Sequence, residues 1–297
     1  MRITVFDRPF TRTVVKPMLR RYLREGFARL FTKKRIVIAL CALVLAGLGT
    51  AGTVGYLTFL RSPANPPADA CADGRPKGSG PVVVAAGASM TQGTLGRDWV
   101  GDLRKRPEFR GYEFVNAGDN GNTSADLRGR VDSDVVACDP DAVTLLIGAN
   151  DVRDGVPLEE YRNNLGAIID RIKDRTSARI ALMSLPPLGE DLDSGINHKL
   201  RDYNAAIKET ATRATVDYVP LHERFADHLR SQGPRPAYDF SFTTAYLAAT
   251  KYYLLGYSWD EVARDNGLEL FVDHIHLSDR GGAMITDLAA RWLRPPS

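Results

Sequence analysis

Residues 36–60 read IVIALCALVLAGLGTAGTVGYLTFL, 25 residues without a charge, flanked by Lys33, Lys34 and Arg35 on one side and Arg61 on the other. No charged stripe runs along this stretch, so it cannot lie half in water and half against a core as a surface helix does. At about 1.5 Å per residue it crosses a hydrocarbon layer of about 30 Å with some tilt. A cleaved secretory signal has an apolar run of only about 7–15 residues behind a short basic start. A membrane anchor is therefore the expectation, with a cleaved signal as its main competitor.

The charges agree with an anchor. Residues 1–35 carry eleven Lys/Arg against two Asp/Glu, and the remaining residues carry 28 against 34. A basic flank stays in the cytoplasm, which makes residues 1–35 a cytoplasmic segment and places the body outside the cell membrane. The same basic residues suit an anionic leaflet, and sequence does not separate that role from a topology signal. An acidic body argues against nucleic acid as a partner. Of the three cysteines, Cys41 falls inside the span. Cys71 and Cys138 fall outside it, where disulfides persist, and each precedes an expected strand. Adjacent parallel strands would bring these two together in a bridge, with two free thiols as the alternative. No Cys-x-x-Cys or His/Cys cluster points to a metal, and no cofactor is expected.

Residues 61–80 (RSPANPPADACADGRPKGSG) are rich in Pro, Gly and Ala and read as a linker. From residue 81 to the C-terminus strand and helix signals alternate. Strands are expected at 81–86, 112–116, 142–148, 179–184 and 216–221, several of them continuous apolar runs that suit burial on both faces. Helical patterns fall at 95–105, 125–136, 158–174, 198–213 and 280–293. This alternation predicts an α/β fold, a three-layer α/β/α sandwich around a mainly parallel five-stranded sheet. Residues 233–271 break the rhythm with a stretch dense in Phe, Tyr, Leu and Trp, in which Ser258 to Glu261 has the pattern of a capping box that would start a short helix. Extra helices over one side of the core are the simpler reading, and a wall of an apolar pocket is the other.

In open parallel sheets ligands bind beyond the C-terminal strand ends. After the first strand comes Gly87-Ala88-Ser89-Met90-Thr91, with Ser89 at the strand-to-helix turn. After the second comes NAGDNGNTS, which contains Gly118 and Gly121. After the third comes Gly148-Ala149-Asn150-Asp151. The stretch VDHIHLSDRGG, with Asp273, His274 and His276, precedes the last helix and holds two of the five histidines in the chain. Singly these are weak signals; a serine after glycine is usually a helix cap.

Taken together, in this order, the four segments resemble the SGNH (GDSL-type) serine hydrolases, over residue 81 to the C-terminus. The resemblance implies that family's flavodoxin-like fold and an ester hydrolase. It makes Ser89 the nucleophile, His276 the base and Asp273 its orienting acid. The Ser89 N–H, Gly121 and Asn150 become the oxyanion hole. Two positions depart from the pattern, since Ala88 and Met90 stand where Asp and Leu are usual. The α/β-hydrolases are excluded, because Thr91 stands where Gly-x-Ser-x-Gly needs glycine and the Asp and His lie three residues apart.

The physical chemistry is consistent with these roles. A serine hydroxyl needs a base, imidazole titrates near neutral pH, and a carboxylate fixes its tautomer. A spacing of three puts Asp273 and His276 on one side of a turn, whereas His274 points elsewhere. The expected partner is an ester: a small molecule, a lipid or an envelope glycan. An O-acyltransferase or deacetylase on envelope glycans or lipids stays open, as does a non-catalytic binding domain of the same fold or a structural envelope protein.

Overall fold

The computed structural model describes residues 15–76, 78, 80–233 and 235–294. Residues 1–14 of the basic segment lie outside these. The described residues form two units, one ending at Thr53 and the other beginning at Val54. The first is helical from Val15 onward. Its apolar stretch belongs to the helical run Thr32–Leu60, 29 residues of mean hydropathy 2.2, long and apolar enough to cross a membrane by length and composition.

The second unit is built on five parallel strands: β1 (Val82–Gly87), β2 (Glu113–Gly118), β3 (Ala142–Leu146), β4 (Arg179–Met183) and β5 (Asp217–Val219). Their order in the sheet is β2-β1-β3-β4-β5. All residues of β1 and β3 are buried, as runs such as VVVAAG and AVTLL require when both faces are covered. Each such Val or Leu removed from water stabilises the fold by about 1.5–3 kcal/mol before chain entropy opposes it. The helices Ser124–Asp134, Leu158–Arg175 and Gly195–Ala214 pack side by side as one layer. The helices Trp99–Arg104, Leu221–Arg230 and Asp279–Leu293 form the other. This is the expected three-layer α/β/α sandwich with a parallel five-stranded sheet.

Two local expectations change. The helix expected at 95–105 starts only at Trp99. Gly96 adopts φ +107° and lies so close to the 271–277 loop that a Cβ there would sit 2.6 Å from the Leu277 carbonyl oxygen. Arg97 N–H donates to that carbonyl, at 3.0 Å. Tertiary docking thus holds residues 93–98 out of the helix. The stretch 61–80, expected as a loose linker, is fastened in its first half. It contains the helix Pro67–Ala70, Asn65 accepts from Asn116 N–H at 3.0 Å, and Cys71 is disulfide-bonded to Cys138. Residues 233–271 supply the helices Phe242–Leu255 and Trp259–Asp265, the second opened by the Ser258–Glu261 capping box.

Candidate active site

The strand order reverses between β1 and β3, and an open sheet leaves a crevice at such a point. Ser89 opens the short helix that follows β1, so its N–H faces no intrahelical acceptor. The buried Asn116 on β2 holds this turn in place: its amide donates to the Thr91 carbonyl at 2.8 Å. After β3 the chain turns at Gly148, where φ is +130° and a Cβ would lie 2.8 Å from the Tyr161 ring, so only glycine fits. Asn150 follows, 4% exposed. One N–H of its amide donates to the Asn122 carbonyl at 2.8 Å, which aims the group and leaves its second N–H available.

Asp151 ties the same two loops together from behind. Its carboxylate accepts from the Ser124 N–H at 2.9 Å and from the Ser124 hydroxyl at 2.5 Å. Burial raises its pKa against the opposing pull of those hydrogen bonds.

The segment from Phe271 to Leu277 closes on itself: Val272 N–H donates to the His276 carbonyl at 2.7 Å, and Phe271 pairs with Leu277. Inside this loop Asp273 is fully buried. Its Oδ1 accepts from the backbone N–H of Ile275 at 3.2 Å and of His276 at 2.8 Å. Its Oδ2 lies 2.7 Å from His276 Nδ1. Burial opposes the charge on Asp273, but the facing His276 ring and these hydrogen bonds outweigh it and hold the carboxyl below its ordinary value. His274 turns away at φ +74°, with its carbonyl accepting from Gly189 N–H and its ring edge-on to Tyr238.

Ser89, Gly121, Asn150 and His276 line one cavity of about 80 Å³. The rest of its lining is mostly apolar, with Phe59, Leu95, Phe240, Phe242 and Ile275, and is completed by the polar Thr58 and Asn120 and the charged Arg153. Phe240 stacks obliquely on His276 at 6.2 Å between ring centres. The Asp273 side chain sits behind His276 and does not line the cavity. Among the described residues no group of His, Cys, Asp and Glu comes together as a metal site would need.

Residues 85–284 match the GDSL-like lipase/acylhydrolase family. The chain belongs to that family. This GDSL-like esterase is 27% identical over 178 residues to the acetylxylan esterase of Geobacillus stearothermophilus, covering 55% of this chain and 76% of that one. Its fold is that of two solved acetylxylan esterases. The crystal structure of AlAXEase has a TM-score of 0.55 and 20% identity, covering 72% of this chain and 100% of that one. That of the Geobacillus stearothermophilus enzyme has a TM-score of 0.53 and 21% identity, covering 74% and 99%. LAE5, an alpha/beta hydrolase enzyme from the metagenome of Lake Arreo in Spain, shares the fold at a TM-score of 0.53 and 20% identity, over 72% of this chain and 94% of its own.

Three contributors to the site escaped sequence reasoning. Phe59, in the run read as a membrane span, lines the cavity. Asn120 donates to the Thr58 and Phe59 carbonyls at 3.3 and 3.2 Å. Glu190, 1% exposed, accepts from the backbone N–H of Glu269 and Leu270 at 2.7 and 2.6 Å and so sets the start of the Asp273 loop. Glu190 had no motif around it, and nothing local could have signalled its role.

Proposed function

We propose that this esterase is a membrane-anchored serine hydrolase that removes short acyl groups, acetyl first among them, on the extracytoplasmic side. The cavity shared by Ser89, Gly121, Asn150 and His276, with Asp273 behind His276, carries this reading. The Ser89 oxygen attacks the ester carbonyl carbon while His276 Nε2 takes the hydroxyl proton. The Asp273 carboxylate holds Nδ1–H and stabilises the imidazolium that forms. Negative charge moves to the carbonyl oxygen, where the N–H groups of Ser89 and Gly121 and the free amide N–H of Asn150 stabilise it. The carbon–oxygen bond to the alcohol breaks, and His276 gives its proton to the leaving oxygen. Water then attacks the acyl-serine with His276 again as base, releasing the acid and restoring Ser89.

The cavity volume supports a short acyl group. About 80 Å³ is well below the about 300–1,000 Å³ of pockets that enclose drug-sized ligands. The relative's name adds an acetylated polysaccharide as the first substrate class to try. The anchor reading rests on the apolar run and its basic flank, which favour an outward-facing body.

The test uses the full chain in detergent micelles and nitrophenyl esters of increasing acyl length, beside Ser89→Ala. The expected result is turnover greatest on acetate, falling with chain length and lost in Ser89→Ala. Equal turnover by Ser89→Ala would overturn the serine mechanism. Preference for long acyl chains would overturn the short-acyl reading and leave the mechanism standing.

A further inference from the structure

The exposed large hydrophobics of the catalytic unit are not scattered. Among its described residues they are Tyr56 and Leu60, at the end of the apolar run, and Phe242, Leu247, Tyr252, Leu254, Leu255 and Tyr257. The last six lie on or just beyond one helix, Phe242–Leu255. Leu247 and Leu254 stand one heptad apart, so they share a face, and Thr243 and Thr250 continue the same stripe. The only charge from residue 242 to 257 is Lys251, and it is held by Asp265 at 3.0 Å. An apolar helical face left to water costs free energy, and monomeric soluble proteins rarely keep such a patch without a partner.

The identity of the partner follows from continuity. The inner face of this helix, Ala245, Ala248 and Ala249, packs in one buried cluster with Val54, the first residue of the unit and the direct continuation of the apolar run. Thr58 and Phe59, a few residues on, are fixed to the catalytic loops by Asn120 and by the Thr94 hydroxyl, which donates to the Thr58 carbonyl at 2.8 Å. The chain thus leaves its lipid-length segment directly against this helix. Leu247 and Leu254 lie on the side of the helix opposite these alanines and so stay exposed, while Val54 enters the unit within the same helix's packing.

We propose that the Phe242–Leu255 helix lies in the surface of the bilayer that holds the apolar segment, its Leu247–Leu254 face in contact with lipid. Phe242 joins this face to the site. It is 72% exposed, lines the catalytic cavity and contacts Phe59 and Phe240 edge-on. The cavity mouth is therefore held at the lipid surface, and the preferred substrates are short-acyl esters presented there on molecules attached to the membrane. This inference rests on the anchor reading above.

The experiment places an environment-sensitive fluorophore on single cysteines of the full chain, reconstituted in phosphatidylcholine vesicles that include a nitroxide-bearing phosphatidylcholine. The labelled positions are Leu247→Cys, Leu254→Cys and the exposed Glu159→Cys, each with Cys41→Ser, and separately the native Cys41. Emission from positions 247 and 254 is expected to shift to the blue and be quenched by the nitroxide lipid, with the label at 159 unchanged. Water-like, unquenched emission at 247 and 254 would overturn the proposal. Blue emission there without quenching would assign the face to another protein or a second copy and would also overturn it. The Cys41 label separates the two readings. Quenching at Cys41 alone keeps the anchor and removes the helix docking, whereas quenching at 247 and 254 without Cys41 does the reverse.

Discussion

His276 and Asp273 are joined twice through one carboxylate: Oδ2 lies 2.7 Å from the His276 ring and Oδ1 accepts the His276 backbone N–H at 2.8 Å. The carboxylate fixes both the ring and the backbone that carries it, so the residue's position and its tautomer depend on one group.

Asp273→Asn should therefore lower kcat by about 10⁴-fold, because an amide no longer stabilises the imidazolium. Stability gives an independent readout. The Asp273 carboxyl is held below its ordinary value of 3.8. Its contribution is present above that value and lost as pH falls through the lower folded value. The melting-temperature gap between wild type and Asp273→Asn should narrow as pH falls from about 5 toward 2. A gap independent of pH would contradict the charged pairing.

Asn150→Ala removes the donor proposed to stabilise charge as it develops on the carbonyl oxygen. Steady-state kinetics on a nitrophenyl acetate should show kcat reduced about 10²–10³-fold with KM little changed. A change confined to KM would make Asn150 a ground-state binding group.

Glu190→Ala would leave the buried N–H groups of Glu269 and Leu270 without an acceptor, at a cost of about 1–3 kcal/mol each. Denaturant unfolding should show the loss. If Glu190 positions the Asp273 loop, Glu190→Gln, which keeps one acceptor oxygen, should recover kcat more fully than stability. Recovery of stability with kcat still low would argue against a positioning role.

The Cys71–Cys138 bridge closes a loop of sequence separation 67 and clasps the chain entry to the start of β3. Replacing both cysteines with alanine should destabilise the unit by about 4 kcal/mol. The unfolding midpoint in detergent, compared with the oxidised wild type, measures this.

Cutting the chain immediately before Gly78 would remove Phe59 from the cavity wall, the Thr58 and Phe59 carbonyls that hold Asn120, and the partner of Cys138. Such a fragment should turn over a nitrophenyl acetate more slowly than the full chain and melt lower. A cut within the 36–53 run, leaving Val54 onward, should keep both properties. Equal activity of the two fragments would show that the segment is a passive tether.

The sequence by itself determined the architecture and the motif residues. Continuous apolar strands and periodic helices can be buried only as a parallel sheet between two helical layers, and that pattern is local enough to read. Ser89, Gly121, Asn150 and His276 were legible because each follows a strand or precedes the last helix, where the topology must bring chain ends together, and because together they match a family pattern. Only the tertiary structure decided what surrounds them. Glu190 acts on residues about 80 positions away, and Phe59 reaches the cavity from a run whose composition says only that it avoids water. The apolar residues 242–257 read as extra helices over the core or as a wall of a pocket until packing showed which face was left over. Side-chain composition states what a segment must escape, but contacts across long sequence separations decide where it goes.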